Sequence, residues 1–360
     1  MSKNIAIICE YVLLPERIGG MDRFFIAYDK ALKEKGYDPI WFFKDVKPFD
    51  FFKELNIISA KNTCIEAFFL GFCNKNDLKF DTVITHFLQP VSPFFRKVKK
   101  QMNPYIINVD HNPRPLEGFP LMKRIKNLLK GFIYGRYVDK LVGVSEYTSK
   151  HIINDFGNIV KNKTDVIYNG IAVANFKKQQ LDRTMLPIKF IVVSHLRESK
   201  GIQDLLEALI QIDRKLYVDI KVDIYGDGPY KNELIQLQHE YKLENVVYFK
   251  GNSPKLNELF HQYHYMLQPT YMECFSLSIL ESLASNVPVI TTTVGGNPEI
   301  IKNGVNGFIF EPKDVAALTK IIQDIVENKI SISKDVYGNI EKNFTLDIMV
   351  ENHIKLVACI

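Results

Sequence analysis

Short apolar runs recur along the chain, and each run is followed by a longer segment whose apolar positions have helical spacing. Continuous apolar runs are typical of strands that are buried on both faces of a parallel sheet. The pattern therefore predicts an α/β protein whose strands are joined by right-handed helical crossovers. The clearest runs lie at residues 5–8, 82–84, 105–109, 141–144, 190–193, 222–225, 246–249 and 287–291.

A break in this rhythm near residues 170–188 indicates a domain boundary. Asn169-Gly170 is a turn signal, and a polar stretch follows at residues 177–180. The strand–helix alternation restarts at Phe190. A chain of 360 residues also corresponds to about two domains of roughly 150 residues each. We predict two doubly wound, Rossmann-like domains that face a central cleft, with ligands at the carboxyl ends of the strands.

Composition narrows the class of protein. Hydrophobic residues make up 46% and charged residues 24%, which excludes a disordered chain and a small disulfide scaffold. No apolar run reaches the ~18 to 20 residues that span a bilayer. We expect a reduced, cytoplasmic protein without a zinc site, because no CxxC pattern joins its cysteines, which are Cys9, Cys64, Cys73, Cys274 and Cys359.

The net charge of +5 is unevenly distributed, since residues 96–136 hold 10 basic and 2 acidic residues. In residues 94–136 these cations are interleaved with Phe and Leu. A basic amphipathic helix can lie on an anionic membrane surface, which would make the protein peripheral on the inner face of a membrane. The alternative is a solvated helix that packs its Leu residues inward. We expect no nucleic-acid partner, because no recognition motif accompanies the charge.

The pair Glu273 and Glu281 is the most informative chemical signal. If both residues were helical, eight steps of 1.5 Å would separate them by ~12 Å along the axis. That is too far for a paired acid and base, which lie roughly 5 to 9.5 Å apart in glycosidases. The spacing suits two carboxylates at opposite ends of an extended ligand, and the helix start between them favours an anion. The alternative is a solvated helix with two surface glutamates.

Three other loops follow predicted strands. Arg197 and Lys200 come just after the strand at 190–193, where a Lys and an Arg can clamp a diphosphate. Gly295-Gly296 lies between a strand and a helix, where glycines let the backbone approach a ligand. Gly226-Asp227-Gly228-Pro229 ends another strand. Taken singly, each loop has a plain structural alternative, either a tight turn or a solvated basic loop.

In this order and spacing, the segments resemble retaining GT-B glycosyltransferases of glycosyltransferase family 4 over nearly the whole chain. Residues 273–284 are similar to the family's E-G-F-G-L-x-x-L-E-A-x-A helix. Further matches are residues 226–229, 295–296, 303–308 and 168–171. The resemblance implies an acceptor-binding domain at 1–172, a domain for a nucleotide-activated sugar at 173–345, and a C-terminal helix at 346–360 that packs back on the first domain.

The resemblance also implies roles for the residues of the second domain. Glu273 would contact sugar hydroxyls, Glu281 the ribose hydroxyls, and Lys200 the diphosphate. Gly226 belongs to the same donor-binding set, and Gly251 and Asn252 would lie near the base. Backbone N–H groups would assist with sugar or phosphate at Phe275, Ser276, Leu277, Gly295 and Gly296.

The chain departs from the family at three donor positions, which lie in two motifs. The family motif is G-R-L-x-x-x-K-G. In the matching segment, this chain has Ser194 where the family has glycine and His195 where the family has arginine. A neutral histidine is a weaker phosphate ligand, and we expect Arg197 to supply the charge. Cys274 stands where the family has glycine beside Glu273, which would narrow the sugar pocket.

The first domain carries two family-like features. The family's first loop, G-G-x-E-R, is matched by Gly19-Gly20-Met21-Asp22-Arg23, which Arg17 and Ile18 precede, and its glycines would approach donor phosphate and acceptor. Its alternative is a tight βα turn. His111 resembles a histidine near the donor sugar, and its alternative is a loop histidine satisfied by hydrogen bonds. His86 also ends a strand, and Ser145 is interpreted mainly as a helix cap.

The family resemblance implies a retaining transfer of a sugar from a nucleotide diphosphate sugar, with UDP expected ahead of GDP. The acceptor would be a hydroxyl of a glycan or lipid-linked carrier in surface polysaccharide synthesis. We expect no cofactor and no metal, since no Asp-x-Asp lies at a plausible site. A sugar-nucleotide epimerase and a catalytically silent binding protein remain open alternatives. A dehydrogenase is disfavoured, because no G-x-G-x-x-G follows the first strand.

Overall fold

The computed structural model describes residues 3–15, 18–47, 49–180 and 182–358. It divides into two compact units: unit 1 comprises Met1–Asn169 with Leu346–Ile360, and unit 2 comprises Gly170–Thr345. Arg17 and Cys359 lie outside the described residues. None of the cysteines in the described ranges forms a disulfide bond.

Unit 1 alternates strands and helices, as the apolar pattern predicts. Its helices and strands, with the last helix contributed by the C-terminal segment, are β1 (Lys3–Leu13), α1 (Gly20–Glu34), β2 (Tyr37–Val46), β3 (Ile57–Ser59), α2 (Ile65–Lys75), β4 (Thr82–His86), α3 (Pro93–Met102), β5 (Tyr105–Asp110), α4 (Leu121–Tyr134), β6 (Lys140–Gly143), α5 (Glu146–Phe156), β7 (Thr164–Val166) and α12 (Leu346–Ala358).

The sheet of unit 1 is parallel, with strand order β3-β2-β1-β4-β5-β6-β7. The order reverses between β1 and β4, so this pair is the topological switch point where ligands of such sheets bind. The loops after β1 and β5 leave the sheet there and carry Gly19 and His111, and His86 is the last residue of β4. Buried aromatic side chains, including Phe24, Trp41 and Phe42, fill the core beneath them.

Unit 2 has the same architecture. Its helices and strands are β8 (Ile188–Val193), α6 (Ile202–Gln211), β9 (Ile220–Tyr225), α7 (Lys231–Glu240), β10 (Val247–Gly251), β11 (Tyr265–Gln268), α8 (Leu277–Ala284), β12 (Val289–Thr292), α9 (Asn297–Ile300), β13 (Gly307–Phe310), α10 (Val315–Val326) and α11 (Gly338–Asn343).

The parallel sheet of unit 2 has strand order β10-β9-β8-β11-β12-β13. Its order reverses between β8 and β11, where Phe190 pairs with Tyr265. The loops that leave these two strands are therefore neighbours, and they carry Lys200 and Glu273. The fold thus brings together two side chains that are 73 residues apart in the sequence.

The C-terminal helix α12 returns to unit 1 and packs against α1. His353 of α12 packs against the stacked rings of Phe24 and Tyr28, with ring centroids 4.8 and 5.6 Å away. These contacts make α12 part of the core of unit 1. No helix within the described ranges is long and apolar enough to cross a membrane.

Candidate functional site

Lys200 and Glu273 form an ion pair at the switch point of unit 2. Lys200 Nζ lies 2.7 Å from Glu273 Oε2, and the two side chains are 22% and 18% exposed. A charge-assisted contact of this length fixes both side chains while each keeps an accessible edge. The sequence predicts both residues as ligands of a donor, but it does not predict their direct contact.

Gly201 sets the position of Lys200. Its φ of +67° is left-handed, and a Cβ there would lie 1.8 Å from the Pro269 carbonyl oxygen. The Tyr271 N–H also donates to the Ser199 carbonyl over 2.8 Å. Only glycine allows the loop after β8 to approach the loop after β11 this closely, so Gly201 brings the lysine to the glutamate.

The Gly295-Gly296 loop packs behind Glu273. Gly295 has a φ of +65°, and a Cβ there would lie 2.1 Å from the Glu273 carbonyl oxygen. The Gly296 N–H donates to the Cys274 carbonyl over 2.9 Å. These glycines therefore support the loop that contains Glu273. The Gly296 N–H, which the sequence analysis assigns to a ligand, is already hydrogen-bonded within the protein.

Helix α8 begins at Leu277, so Glu273 precedes the helix and only Glu281 is within it. The ~12 Å separation holds only if both residues are helical. That condition is not met, because the helix starts after its N-cap Ser276, which accepts a hydrogen bond from the Ile279 N–H over 3.4 Å. Glu281 is half-buried, as is Leu277. Phe275 is buried, and its ring centroid lies 5.5 Å from that of Phe344.

Gln268 is a site residue that sequence reasoning missed. It ends β11 as a buried polar residue, and its amide donates to the Ser276 hydroxyl over 2.7 Å and to the Ser278 hydroxyl over 3.1 Å. The amide thereby holds the first turn of α8 against the strand. A polar residue at the end of an otherwise apolar strand was the signal available in the sequence.

The loop after β9 supports the loop that contains His195. Gly226 has a φ of +131°, and a Cβ there would lie 1.8 Å from the Ser194 carbonyl oxygen. The Leu196 N–H donates to the Asp227 carbonyl over 3.0 Å. His195 and Arg197 are exposed beside it. Close packing against the loop after β8 therefore explains the glycine at position 226 without a bound ligand.

The remaining predicted position in unit 2 is the end of β10. Gly251 has a φ of +68°, and its carbonyl accepts the Gly226 N–H over 2.9 Å. A Cβ on Gly251 would meet no atom within 4 Å. Asn252 follows it at the surface. Both residues lie next to β9, so they belong to the same edge of the sheet as Gly226 and His195.

In unit 1, the buried His86 and the half-buried His111 are hydrogen-bonded to each other. His86 Nδ1 and His111 Nε2 are 3.1 Å apart, so one ring nitrogen donates to the other. Burial, followed by the proximity of His353, lowers the pKa of His111 to about 3. Burial, followed by His111 and His353, also lowers the pKa of His86. Both rings are therefore neutral near pH 7.

Phe87 covers His111. Their ring centroids are 4.3 Å apart in a stacked arrangement. Phe87 has a φ of +66°, which costs a bulky residue about 1–3 kcal/mol and recurs at functional sites. Sequence reasoning missed Phe87, because propensities and spacing carry no signal for a single left-handed residue at a strand end.

The glycine loop of unit 1 caps helix α1, which begins at Gly20. Oδ2 of the buried Asp22 accepts the Gly19 N–H over 2.8 Å and the Tyr11 hydroxyl over 3.2 Å. This arrangement is the tight βα turn that the sequence left as the alternative for Gly19 and Gly20. The Ser145 cap is confirmed, since its hydroxyl accepts the Thr148 N–H over 3.0 Å.

Unit 2 presents cations beside carboxylates, and unit 1 separately holds a pair of neutral imidazoles. Across residues 3–15, 18–47, 49–180 and 182–358, no group of three His, Cys, Asp or Glu side chains is arranged to hold a metal ion. The expected absence of a metal stays a prediction. In unit 2 a lysine ammonium group lies beside a carboxylate, and this pair suits a ligand with both phosphate and hydroxyl groups.

Residues 173–343 match the family model described as glycosyl transferases group 1. One curated relative is the N-acetyl-alpha-D-glucosaminyl L-malate synthase of Bacillus anthracis, which is 32% identical over 181 residues, or 47% of this chain and 46% of the relative. The chain spans about half the length of the curated relatives it matches.

Solved structures are similar over the full length. Anabaena Alr3699/HepE in complex with UDP superposes with a TM-score of 0.78 at 17% identity, covering 100% of both chains. The lipopolysaccharide outer core galactosyltransferase WaaB superposes with a TM-score of 0.70 at 16% identity, covering 99% of both chains. At such identities the likeness establishes the fold, which is GT-B with two Rossmann-like domains.

Proposed function

We propose that this chain, whose residues 173–343 match the family model of the glycosyl transferases group 1, is a retaining glycosyltransferase. It moves a sugar from a nucleotide diphosphate sugar to a hydroxyl of a glycan or lipid-linked acceptor. The observation that carries this proposal is the accessible Lys200–Glu273 pair at the switch point of unit 2. Its cation matches a diphosphate and its carboxylate matches sugar hydroxyls.

When the donor binds, Lys200 and Glu273 separate from each other and each binds a group of the donor. Lys200 binds a diphosphate oxygen as a charged hydrogen-bond donor, and Glu273 then accepts hydrogen bonds from the sugar. Arg197 and His195 are exposed on the same loop, so Arg197 adds positive charge where the family arginine is absent. Glu281 in α8 binds the ribose hydroxyls.

The proposed reaction proceeds on one face of the sugar. The bond between the anomeric carbon and the diphosphate oxygen breaks as the acceptor oxygen bonds to the same face, and the departing phosphate oxygen takes the acceptor proton. The protein then needs no separate base, and it works by positioning the reactants and stabilising charge. His111 remains neutral and serves as a hydrogen-bonding partner near the sugar.

UDP is the preferred nucleotide, with GDP second. The complex of HepE with UDP supports this choice, since that structure matches the whole chain. The likeness to WaaB supports a surface glycan as the product. Metal independence is part of the proposal, with Lys200 supplying the positive charge that a metal would otherwise provide.

The test is calorimetric titration of the purified chain with UDP, GDP, ADP and CMP in the presence of EDTA. Selective binding of one nucleotide supports the proposal, and absence of binding to all of them overturns it. With the selected donor, NMR of the product must show the donor's anomeric configuration. Donor turnover without an acceptor would instead indicate an epimerase, and binding without any turnover would indicate a silent binding protein.

A further inference from the structure

Helix α4 exposes the side chains that a helix of a folded protein normally buries. Phe132 is 76% exposed, Leu121 68%, Met122 66% and Leu129 55%. Ile125 also lies at the surface, at 44%. Large apolar residues exposed together within one helix mark an interaction surface, in contrast to single scattered ones.

The buried side of α4 is small and polar. Asn127 and Gly131 are the buried residues of this helix. A Cβ on Gly131 would lie 1.8 Å from the Phe156 carbonyl oxygen, so α4 rests directly on the end of α5. The helix therefore presents its glycine to the protein and its Leu, Met and Phe residues to the outside. This polarity is the reverse of an ordinary surface helix.

Helix α3, in the same basic segment, shows the ordinary polarity. Phe94, Phe95 and Val98 are buried in the core, while Arg96 and Lys97 are exposed. The alternative of a solvated helix with inward apolar residues thus holds for α3. It fails for α4, and the basic segment 94–136 therefore contains two helices of different character.

Cations border the apolar face of α4. At about 100° per residue, the exposed apolar side chains from Leu128 to Ile133 cover an arc of about 140° opposite Asn127. Arg124 lies on one flank of this arc, and Lys126 lies on the other. The helix contains no acidic residue, and none of its basic residues forms an ion pair with any described residue.

We propose that α4 docks on an anionic lipid bilayer with its axis parallel to the membrane plane. The apolar arc enters the boundary between headgroups and acyl chains, while Arg124 and Lys126 bind lipid phosphates. At 14 residues and about 21 Å, α4 is too short to span the ~30 Å hydrocarbon core. The inference deepens the proposed function, because a lipid-linked acceptor would be presented at this surface.

The test measures binding of the full chain to vesicles by flotation, without donor or acceptor. One set is phosphatidylcholine alone, and the other contains about one third phosphatidylglycerol. The wild-type chain must bind the anionic set and lose affinity as salt rises. The double variant Leu129→Ser/Phe132→Ser must bind at least about tenfold more weakly, since two large apolar side chains no longer enter the bilayer. Arg124→Gln/Lys126→Gln must lose a similar factor on anionic vesicles only.

Control variants replace exposed residues of the same two kinds, apolar and basic, away from α4. Val218→Ser removes an 80% exposed apolar residue of unit 2, and Lys75→Gln removes an exposed cation of α2. Both must bind vesicles like wild type. Because the altered α4 residues are exposed, thermal unfolding should leave every variant close to the wild-type midpoint. Equal vesicle binding by the α4 variants and wild type overturns the proposal.

Two further results separate this inference from its competitors. If sedimentation velocity shows a wild-type dimer that Phe132→Ser converts to a monomer, α4 is a self-association surface and the membrane proposal falls. Vesicle binding without nucleotide binding would overturn the proposed function and leave the docking surface standing. Nucleotide binding without vesicle binding would do the opposite.

Discussion

Lys200 and Glu273 lie in the loops after two neighbouring parallel strands and form an ion pair with 2.7 Å between Nζ and Oε2. In the free protein each is therefore the other's partner. A diphosphate that binds Lys200 must displace Glu273 from the lysine. The carboxylate that is released can then accept hydrogen bonds from a sugar. The ion pair keeps both charged groups satisfied until the donor arrives.

Glu273→Ala should abolish sugar transfer while nucleotide binding persists. Because the carboxylate is proposed to contact the sugar, we expect a loss of about 10²–10³ in kcat, by analogy with the loss of a positioned charge-stabilising group. Because Lys200 is released from its internal partner, the UDP affinity measured by calorimetry should be equal or higher. Glu240→Ala, on the exposed side of α7, is the matched control. Wild-type transfer by Glu273→Ala would remove its assigned role.

Lys200→Ala should weaken UDP binding by about 10- to 100-fold, the range for a charged hydrogen bond of about 1.5–3 kcal/mol. Uridine, which lacks the diphosphate, should lose much less affinity. Lys320→Ala in α10, where the lysine side chain is 76% exposed, controls for a general loss of charge. Equal losses for UDP and uridine would point to a structural effect of the substitution.

Glu281→Ala should weaken UDP and uridine by similar factors. The residue is assigned to the ribose, which both ligands contain, so its signature in the same titrations differs from that of Lys200. Loss of a hydrogen bond from a neutral hydroxyl to a carboxylate should reduce the binding free energy by about 1.5–3 kcal/mol. Unchanged affinity for both ligands would exclude the ribose contact.

Gly201→Ala should lower both the melting temperature and the affinity for UDP. Its Cβ meets the Pro269 carbonyl oxygen at 1.8 Å, so the loop that carries Lys200 must shift. Gly36→Ala has the same left-handed strain, at a φ of +80°, but meets no atom within 4 Å. The control should therefore lose stability without losing UDP affinity. A wild-type affinity for Gly201→Ala would contradict the positioning role.

The stability of unit 1 should fall as the solution is acidified below about pH 6.5. Burial lowers the pKa of His353 to about 4 and, together with His353, that of His111 to about 3. The unfolded chain binds protons near pH 6.5, so it binds more protons than the folded chain between that value and pH 3–4. Over this range, each such histidine lowers the free energy of unfolding by up to about 1.4 kcal/mol for every unit by which the pH falls.

Denaturant titrations at several pH values between 5 and 7.5 measure this slope. His353→Phe removes one titrating group among the aromatic rings of Phe24 and Tyr28, so its free energy of unfolding should depend less steeply on pH. A slope identical to wild type would show that His353 is not held neutral by the fold.

The sequence predicts most of the fold, because strands buried on both faces are visible as apolar runs. It also places Lys200, Glu273 and His111 in loops after strands, where the structure has them. A helix start between Glu273 and Glu281 is confirmed at Leu277, whereas the hydrogen bond from Gln268 to the Ser276 cap comes from another element, which spacing alone does not reveal. Periodicity similarly identifies α4 as amphipathic but does not reveal which side meets the protein.

The return of α12 to unit 1 has a consequence for synthesis on the ribosome. Unit 2 is continuous in sequence and is complete as soon as residue 345 has emerged. Unit 1 begins first but must wait for residues 346–358 before His353 can cover Phe24 and Tyr28. The half of the chain made first therefore finishes folding last, and its uncovered aromatic surface is exposed to misassembly throughout translation.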